Sequence, residues 1–142
     1  MTVGLLQAMG AREGYNQRGI SPDRPQRNNS PGDLLWCPEA REFGATHGDP
    51  TYAVFPDIAT GWLALRRWLS VPARFDSHGV LVGGYLGATL AQVVYRFAPP
   101  GTNDSASYLA YVCAQTGLEA QTKLSPELLA VPAPTPTQTQ KG

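Results

Sequence analysis

The segment Pro56-Asp57-Ile58-Ala59-Thr60-Gly61-Trp62-Leu63-Ala64-Leu65-Arg66-Arg67-Trp68-Leu69-Ser70 decides the fold class. Ile58, Trp62, Leu65 and Leu69 recur at the helical period and form one apolar stripe, with Arg66 and Arg67 off it. Asp57 stands where a side-chain oxygen can cap the free amides of a first turn, and Pro72 stops the run. The spacing predicts an amphipathic helix over 58–70.

Outward from that helix, further helical segments alternate with loops. On the C-terminal side, a glycine-rich connection from Gly79 to Gly87 leads to Thr89, a good N-cap for a helix from Leu90 to Phe97. There Leu90, Val93, Val94 and Phe97 keep the same rhythm. Gly83, Gly84 and Gly87 lack the strand–turn–helix setting and the lysine of a phosphate loop, and read as connection. Pro99-Pro100-Gly101 breaks the chain, and Asn103 or Asp104 caps a last helix over Ser105–Thr116, with Gly117 as its C′ residue. On the N-terminal side, Thr51–Phe55 (TYAVF), bounded by Pro50 and Pro56, reads as one extended strand. Leu34–Phe43 holds a turn or short helix starting at Pro38. The polar stretch Asn16–Asp33 predicts a loop without regular structure, and Val3–Gly14 a first helix with Val3, Leu6 and Met9 on its face.

Composition bounds what such a chain can do. Its 142 residues suit one domain, and 42% hydrophobic content is enough for a real core. The 15 glycines and 13 prolines imply long ordered loops. Eleven basic and eleven acidic residues give a formal net charge of zero. That leaves no basic footprint for a phosphate backbone, so nucleic acid is not an expected partner. No apolar run approaches the roughly 20 residues of a membrane span. Met1–Ala11 lacks the parts of a secretory signal, so synthesis in the cytoplasm is expected. Cys37 and Cys113 lack metal-site spacing; Cys113 reads as a buried free thiol, with a Cys37–Cys113 bridge left open. No metal or cofactor is expected.

Four segments in register carry a resemblance. Glu13-Gly14-Tyr15 ends the first helix, and Arg27-Asn28-Asn29-Ser30-Pro31-Gly32-Asp33 follows. Then come Tyr52-Ala53-Val54-Phe55-Pro56 with Gly61-Trp62-Leu63-Ala64-Leu65, and last Phe97-Ala98-Pro99-Pro100 and Asn103-Asp104 with Tyr108. Over roughly Leu5 to Leu124 this order resembles a group of phage and prophage lysozyme-like proteins. Some of those are named muramidases or lytic transglycosylases, others virion structural proteins. Ser30 departs from the usual Asn, and Asp33 from a frequent Asn. The resemblance implies a mainly α, lysozyme-like fold with a short β-strand or hairpin element and long loops. It would occupy residues 1–130, with a Pro/Thr-rich disordered tail at 131–142. The partners it implies are peptidoglycan glycan strands and other virion or envelope proteins, at the cell wall, in the periplasm or within a virion.

Glycoside cleavage needs a carboxylic acid still protonated near neutral pH, and burial against apolar groups is the usual way to hold it so. A Glu at the C-terminal end of a helix also faces the negative end of the helix dipole. Glu13 has that placement and, with the resemblance, is the expected catalytic acid. Asp33 is the candidate second carboxylate, or else an Asx-type turn residue after Pro-Gly. Lytic transglycosylases need only one carboxyl group, so both routes stay open. Asn28 and Asn29 could hydrogen-bond sugar amides, or could satisfy their own backbone. Tyr52 and Phe55 could line a groove or fill the core. By resemblance Asn103 and Tyr108 would help hold substrate, Tyr108 otherwise being a core hydroxyl. Trp62 and Trp68 read as packing, and His47 and His78 as solvated loop residues. The rival reading is an inactive lysozyme-like component that binds glycan or protein.

Overall fold

A computed structural model describes residues 1–15 and 24–132. Of the expected loop Asn16–Asp33, residues 16–23 lie outside the described residues, as does the expected tail beyond Pro132. The described chain is mainly helical with two small antiparallel strand pairs. In order it runs α1 (Leu5–Arg12), α2 (Arg24–Arg27), α3 (Pro38–Glu42), β1 (His47–Gly48), β2 (Ala53–Val54) and α4 (Ile58–Leu69). There follow β3 (Arg74–Phe75), β4 (Leu81–Gly83), α5 (Leu90–Phe97), α6 (Ser105–Thr116) and a 3-10 turn at Pro126–Leu129.

The caps behave as the residue types require. The Asp57 carboxylate accepts from the Thr60 amide at 2.8 Å and the Thr60 hydroxyl at 2.7 Å, which fixes the first turn of α4. Thr89 and Gln92 form a reciprocal capping box at the start of α5. Asp104, rather than Asn103, caps α6 by accepting from the Ser107 amide. Gly117 closes α6 in the left-handed conformation, φ 77°, that favours glycine.

Several expectations need correction. Arg24–Arg27, inside the stretch read as irregular, forms one helical turn. The connection Gly79–Gly87 contains β4, which pairs with β3 in a second hairpin. Asp76 makes that hairpin: its carboxylate accepts from the amides of His78 and Val80, and Gly79 takes φ 78°. The strand Thr51–Phe55 shortens to β2, paired with β1, so that His47 is a strand residue. Both cysteines are partly buried free thiols. Burial and the nearby Glu119 carboxylate push the Cys113 thiol up.

One core runs from Leu5 in α1 to Leu129 in the 3-10 turn. Helix α6 is packed by α1 and α5, while α1 also meets α4. The segment after α6 pairs back on the entrance of α5 through Leu90 N–H to Thr122 O at 2.8 Å and Leu124 N–H to Ala88 O at 2.8 Å. No helix of the described residues is long and apolar enough to cross a membrane.

The closest backbone approach in this packing is at Gly61 of α4. A Cβ there would lie 1.8 Å from the backbone oxygen of Asn29 and 3.0 Å from Pro31 Cδ. The loop 28–33 therefore rides directly on the helix. Gly61→Ala forces either the helix or the loop to move, and backbone cannot yield as a side-chain tip does. Its cost should reach the upper end of overpacking changes, about 3 kcal/mol, or about 10 °C in Tm. Thermal unfolding followed by circular dichroism checks this; a drop of less than about 2 °C contradicts the close approach.

Candidate active site

The position of Glu13 follows from how α1 ends. Gly14 takes φ 104°, its amide donates to Ala11 O at 3.1 Å, and the Tyr15 amide donates to Gly10 O at 2.8 Å. This is a Schellman arrangement, available because glycine tolerates positive φ. The turn sends the Tyr15 ring edge-on to Trp62, centroids 5.6 Å apart. Gly10 admits the same indole from the other side, since a Cβ there would lie 2.9 Å from Trp62 Cη2. Glu13 is left half-buried on the wall of a cleft of about 540 Å³.

Burial is the main reason its acidity changes. Desolvation raises the Glu13 carboxyl to about 7, with the negative charge of Asp33 adding to the rise. Tyr108 hydrogen bonding and the cations Arg12 and Arg24 pull the other way without cancelling it. Near neutral pH a large fraction of the molecules therefore carry the proton on Glu13.

Tyr108, on α6, is 3% exposed. Burial and the neighbouring Glu13 carboxylate push its hydroxyl well above the ordinary phenol range. The hydroxyl lies close enough to Glu13 to act on its acidity, yet meets no partner in full hydrogen-bond geometry. A buried hydroxyl in that state has bonding capacity left over. Arg12 steadies the same region, its guanidinium 5.4 Å from the Tyr108 ring and donating to Ser107 Oγ at 3.2 Å.

Asp33 lines the cleft, but both its oxygens are engaged. Arg24 Nε donates to Oδ1 at 2.9 Å and Nη2 donates to Oδ2 at 2.6 Å, a bidentate pair. The Arg24 guanidinium also stacks on the Tyr52 ring, 3.6 Å from its centroid. Asp33 takes φ 50°, a left-handed conformation that Asp adopts more readily than most residues. Its amide closes a turn on Ser30 O at 2.8 Å. The turn reading and the cleft placement thus both apply to it. Tyr52 is set in place by the bridge between its backbone and Leu35.

Asn28, Asn29 and Phe55 do not line the cleft. Asn28 is buried, and its carbonyl accepts from the Phe55 amide at 2.9 Å. Asn29, at φ 52°, donates from Nδ2 to Phe55 O at 3.1 Å. Together they stitch the loop to the end of β2. Phe55 is 1% exposed and is a core residue, since a ring closed off from solvent has no face to offer a ligand. Ser30, the departure from the usual Asn, accepts from the Leu34 amide at 3.0 Å while fully buried. Asn103 does line the cleft, its Nδ2 bonded to Pro99 O and Thr102 Oγ1.

Among the lining residues not singled out as site candidates are Arg24, Trp68, Tyr85 and Arg96. Both tryptophans of α4 take the packing role expected of them, Trp62 at 6% exposed and Trp68 edge-on to Phe43 with centroids 6.3 Å apart. Trp68 also reaches the cleft wall. Tyr85 sits in the glycine-rich connection, where nothing local marks it. A larger opening of about 620 Å³ beside Trp36 and Pro38 contains Arg41 and Glu42 but none of these groups, so size does not mark the site. Among the described residues no cluster of His, Cys, Asp or Glu could hold a metal ion. Comparison with protein-family models and with curated proteins finds no match for the chain.

The raised acidity of Glu13 has a cost in stability. A carboxyl that holds its proton more tightly when folded weakens the fold as pH climbs from 4.5, its ordinary value, to about 7. Above that the penalty stands in full, at most about 3 kcal/mol and nearer 1–2 kcal/mol for a half-hydrated group. Glu13→Gln should therefore be more stable than the parent at pH 8, with the gain vanishing below about pH 5. Equal stabilities at both pH values, by denaturant unfolding, contradict a buried ionisable Glu13.

Proposed function

We propose that this protein is a lysozyme-like enzyme that cuts peptidoglycan glycan strands at the β-1,4 bond between N-acetylmuramic acid and N-acetylglucosamine. The observation that carries the reading is Glu13, a half-buried carboxyl raised to about 7 on the wall of an open cleft. A general acid works best with its pKa near the working pH, and this one is tuned by the same means as in glycosidases, desolvation. The lysozyme-like motif order and the mainly helical frame are consistent with it. Its place of action would be the cell wall, the periplasm or a virion.

The Arg24–Asp33 pair favours a lytic transglycosylase over a hydrolase. A hydrolase needs a second carboxylate free to attack the sugar or activate water. Asp33, the nearest candidate, gives both oxygens to Arg24. The route that remains uses one carboxyl group. Glu13 donates its proton to the glycosidic oxygen as the C1–O bond breaks, and the substrate's own acetamido oxygen bonds to C1. The C6 hydroxyl then displaces that oxygen at C1, closing a 1,6-anhydro ring, and its proton returns to Glu13. No water is consumed. Trp68 supplies aromatic surface for the sugar rings, Tyr52 and Tyr85 line the wall beside it, and Asn103 supplies a polar edge.

Incubation of the protein with purified peptidoglycan should release muropeptides ending in 1,6-anhydro sugar, and Glu13→Gln should release none. Non-anhydro products would transfer the reading to a hydrolase. No release by the parent protein would overturn cleavage and leave a glycan-binding component. Because the acid form of Glu13 does the work, kcat/KM should fall as pH rises through about 7. Tyr108 lowers the Glu13 pKa, so Tyr108→Phe should move that falling limb to higher pH. A limb that stays in place denies Tyr108 its positioning role.

A further inference from the structure

The cleft at Glu13 does not end at Tyr85. A groove of about 500 Å³ continues from it, sharing Leu35, Trp68, Tyr85 and Arg96 and running on past Val71 to Arg74. Two arginines, Arg74 and Arg96, thus face one channel that leads away from the catalytic acid.

Both are held there. Arg74 lies opposite Gly83 in the β3–β4 pair, and a Cβ on Gly83 would fall 2.0 Å from Arg74 Nη2 and 2.4 Å from Cζ. The guanidinium therefore lies close over the bare glycine backbone, in space that a side chain at 83 would take. Arg96, in the last turn of α5, has its guanidinium carbon 5.4 Å from the Tyr85 ring centroid. Among the described residues neither arginine meets a carboxylate within ion-pair distance, the one ion pair being Arg24–Asp33. Glu39 is the acidic residue on the wall of the same groove. In a chain of zero net charge, two unspent cations on one channel are not spill-over from a basic surface. Guanidinium groups held in place, with donors left over, are suited to a carboxylate.

We propose that Arg74 and Arg96 recognise a carboxylate on the lactyl-peptide branch of muramic acid, so that the protein prefers acidic glycan to a neutral polymer of N-acetylglucosamine. This rests on the glycan-cleaving reading above and adds the substrate class that the groove selects. The carboxylate has two sources in that branch: the lactyl group itself once the peptide is removed, and the peptide when it is present.

The test uses the full chain carrying Glu13→Gln, so that ligands stay intact, and isothermal titration with three tetrasaccharides. One carries peptides on its muramic acids, one is peptide-free with bare lactyl carboxylates, and one is neutral tetra-N-acetylglucosamine. At least one acidic ligand should bind about tenfold tighter than the neutral one. Which of the two gains identifies the source of the carboxylate. Adding Arg74→Gln and Arg96→Gln should bring the acidic ligands down to the neutral one, with the neutral ligand losing least. Lysine at both positions, which keeps the charge, should restore part of the preference. Both side chains are exposed, so the variants should fold, which circular dichroism checks. Equal binding of acidic and neutral ligands, or an equal loss by all three in the glutamine variant, overturns the proposal. It does so without touching the cleavage reading, which fails only if the parent enzyme releases nothing from peptidoglycan.

Discussion

The cleft depends on the packing around Gly61 and Trp62 of α4. Gly61 offers no side chain, so the backbone of Asn29 descends onto the helix, where a Cβ would lie 1.8 Å from its oxygen. The Trp62 ring one residue on receives Gly10 and Tyr15, while Pro31 lies against both Gly10 and Gly61. Two segments far apart in sequence, the end of α1 and the loop 28–33, are thereby brought against the same helix. Glu13 stands on the first and Asp33 on the second. Remove the close approach and the two carboxyl groups no longer share a wall.

From that juxtaposition the electrostatics follow. Two carboxyl groups near one another raise each other's cost of ionisation unless one is neutralised. Here Arg24 holds Asp33 in a bidentate grip, and Glu13 is raised chiefly by burial with the Asp33 charge adding to it. The two carboxyl groups thus differ in surroundings: Asp33 is paired with a cation that lies over Tyr52, and Glu13 is buried and raised to about 7. The burial of Glu13 costs stability at the pH where it would ionise in water.

The helices were legible because their signals are local. Asp57, Thr89 and Gly117 announce their helix ends by residue type, and the apolar rhythm of α4 and α5 survives in the fold. The β3–β4 hairpin was hidden because its two strands are short and its turn is made by a side chain, Asp76, in a stretch dominated by glycine. Glu13 could be picked out only through its register with other segments, since a helix-terminal Glu by itself is ordinary. Asn28 and Asn29 were harder. The same amide can bind a sugar or a backbone, and only the position of Phe55 shows that Asn29 is already engaged and the loop pinned. Arg24, Tyr85 and Arg96 gave no sequence signal, because their meaning lies in what the chain brings beside them.

The central claim is that Glu13 holds its proton near neutral pH because of where the fold puts it. A carbon-13 NMR titration of the side-chain carboxyl of Glu13, assigned by comparison with Glu13→Gln, measures this directly in the free protein. The account predicts a midpoint near 7. A midpoint near 4.5, the ordinary value for glutamate, would mean the carboxyl is solvated, and the proposed catalysis would lose its acid.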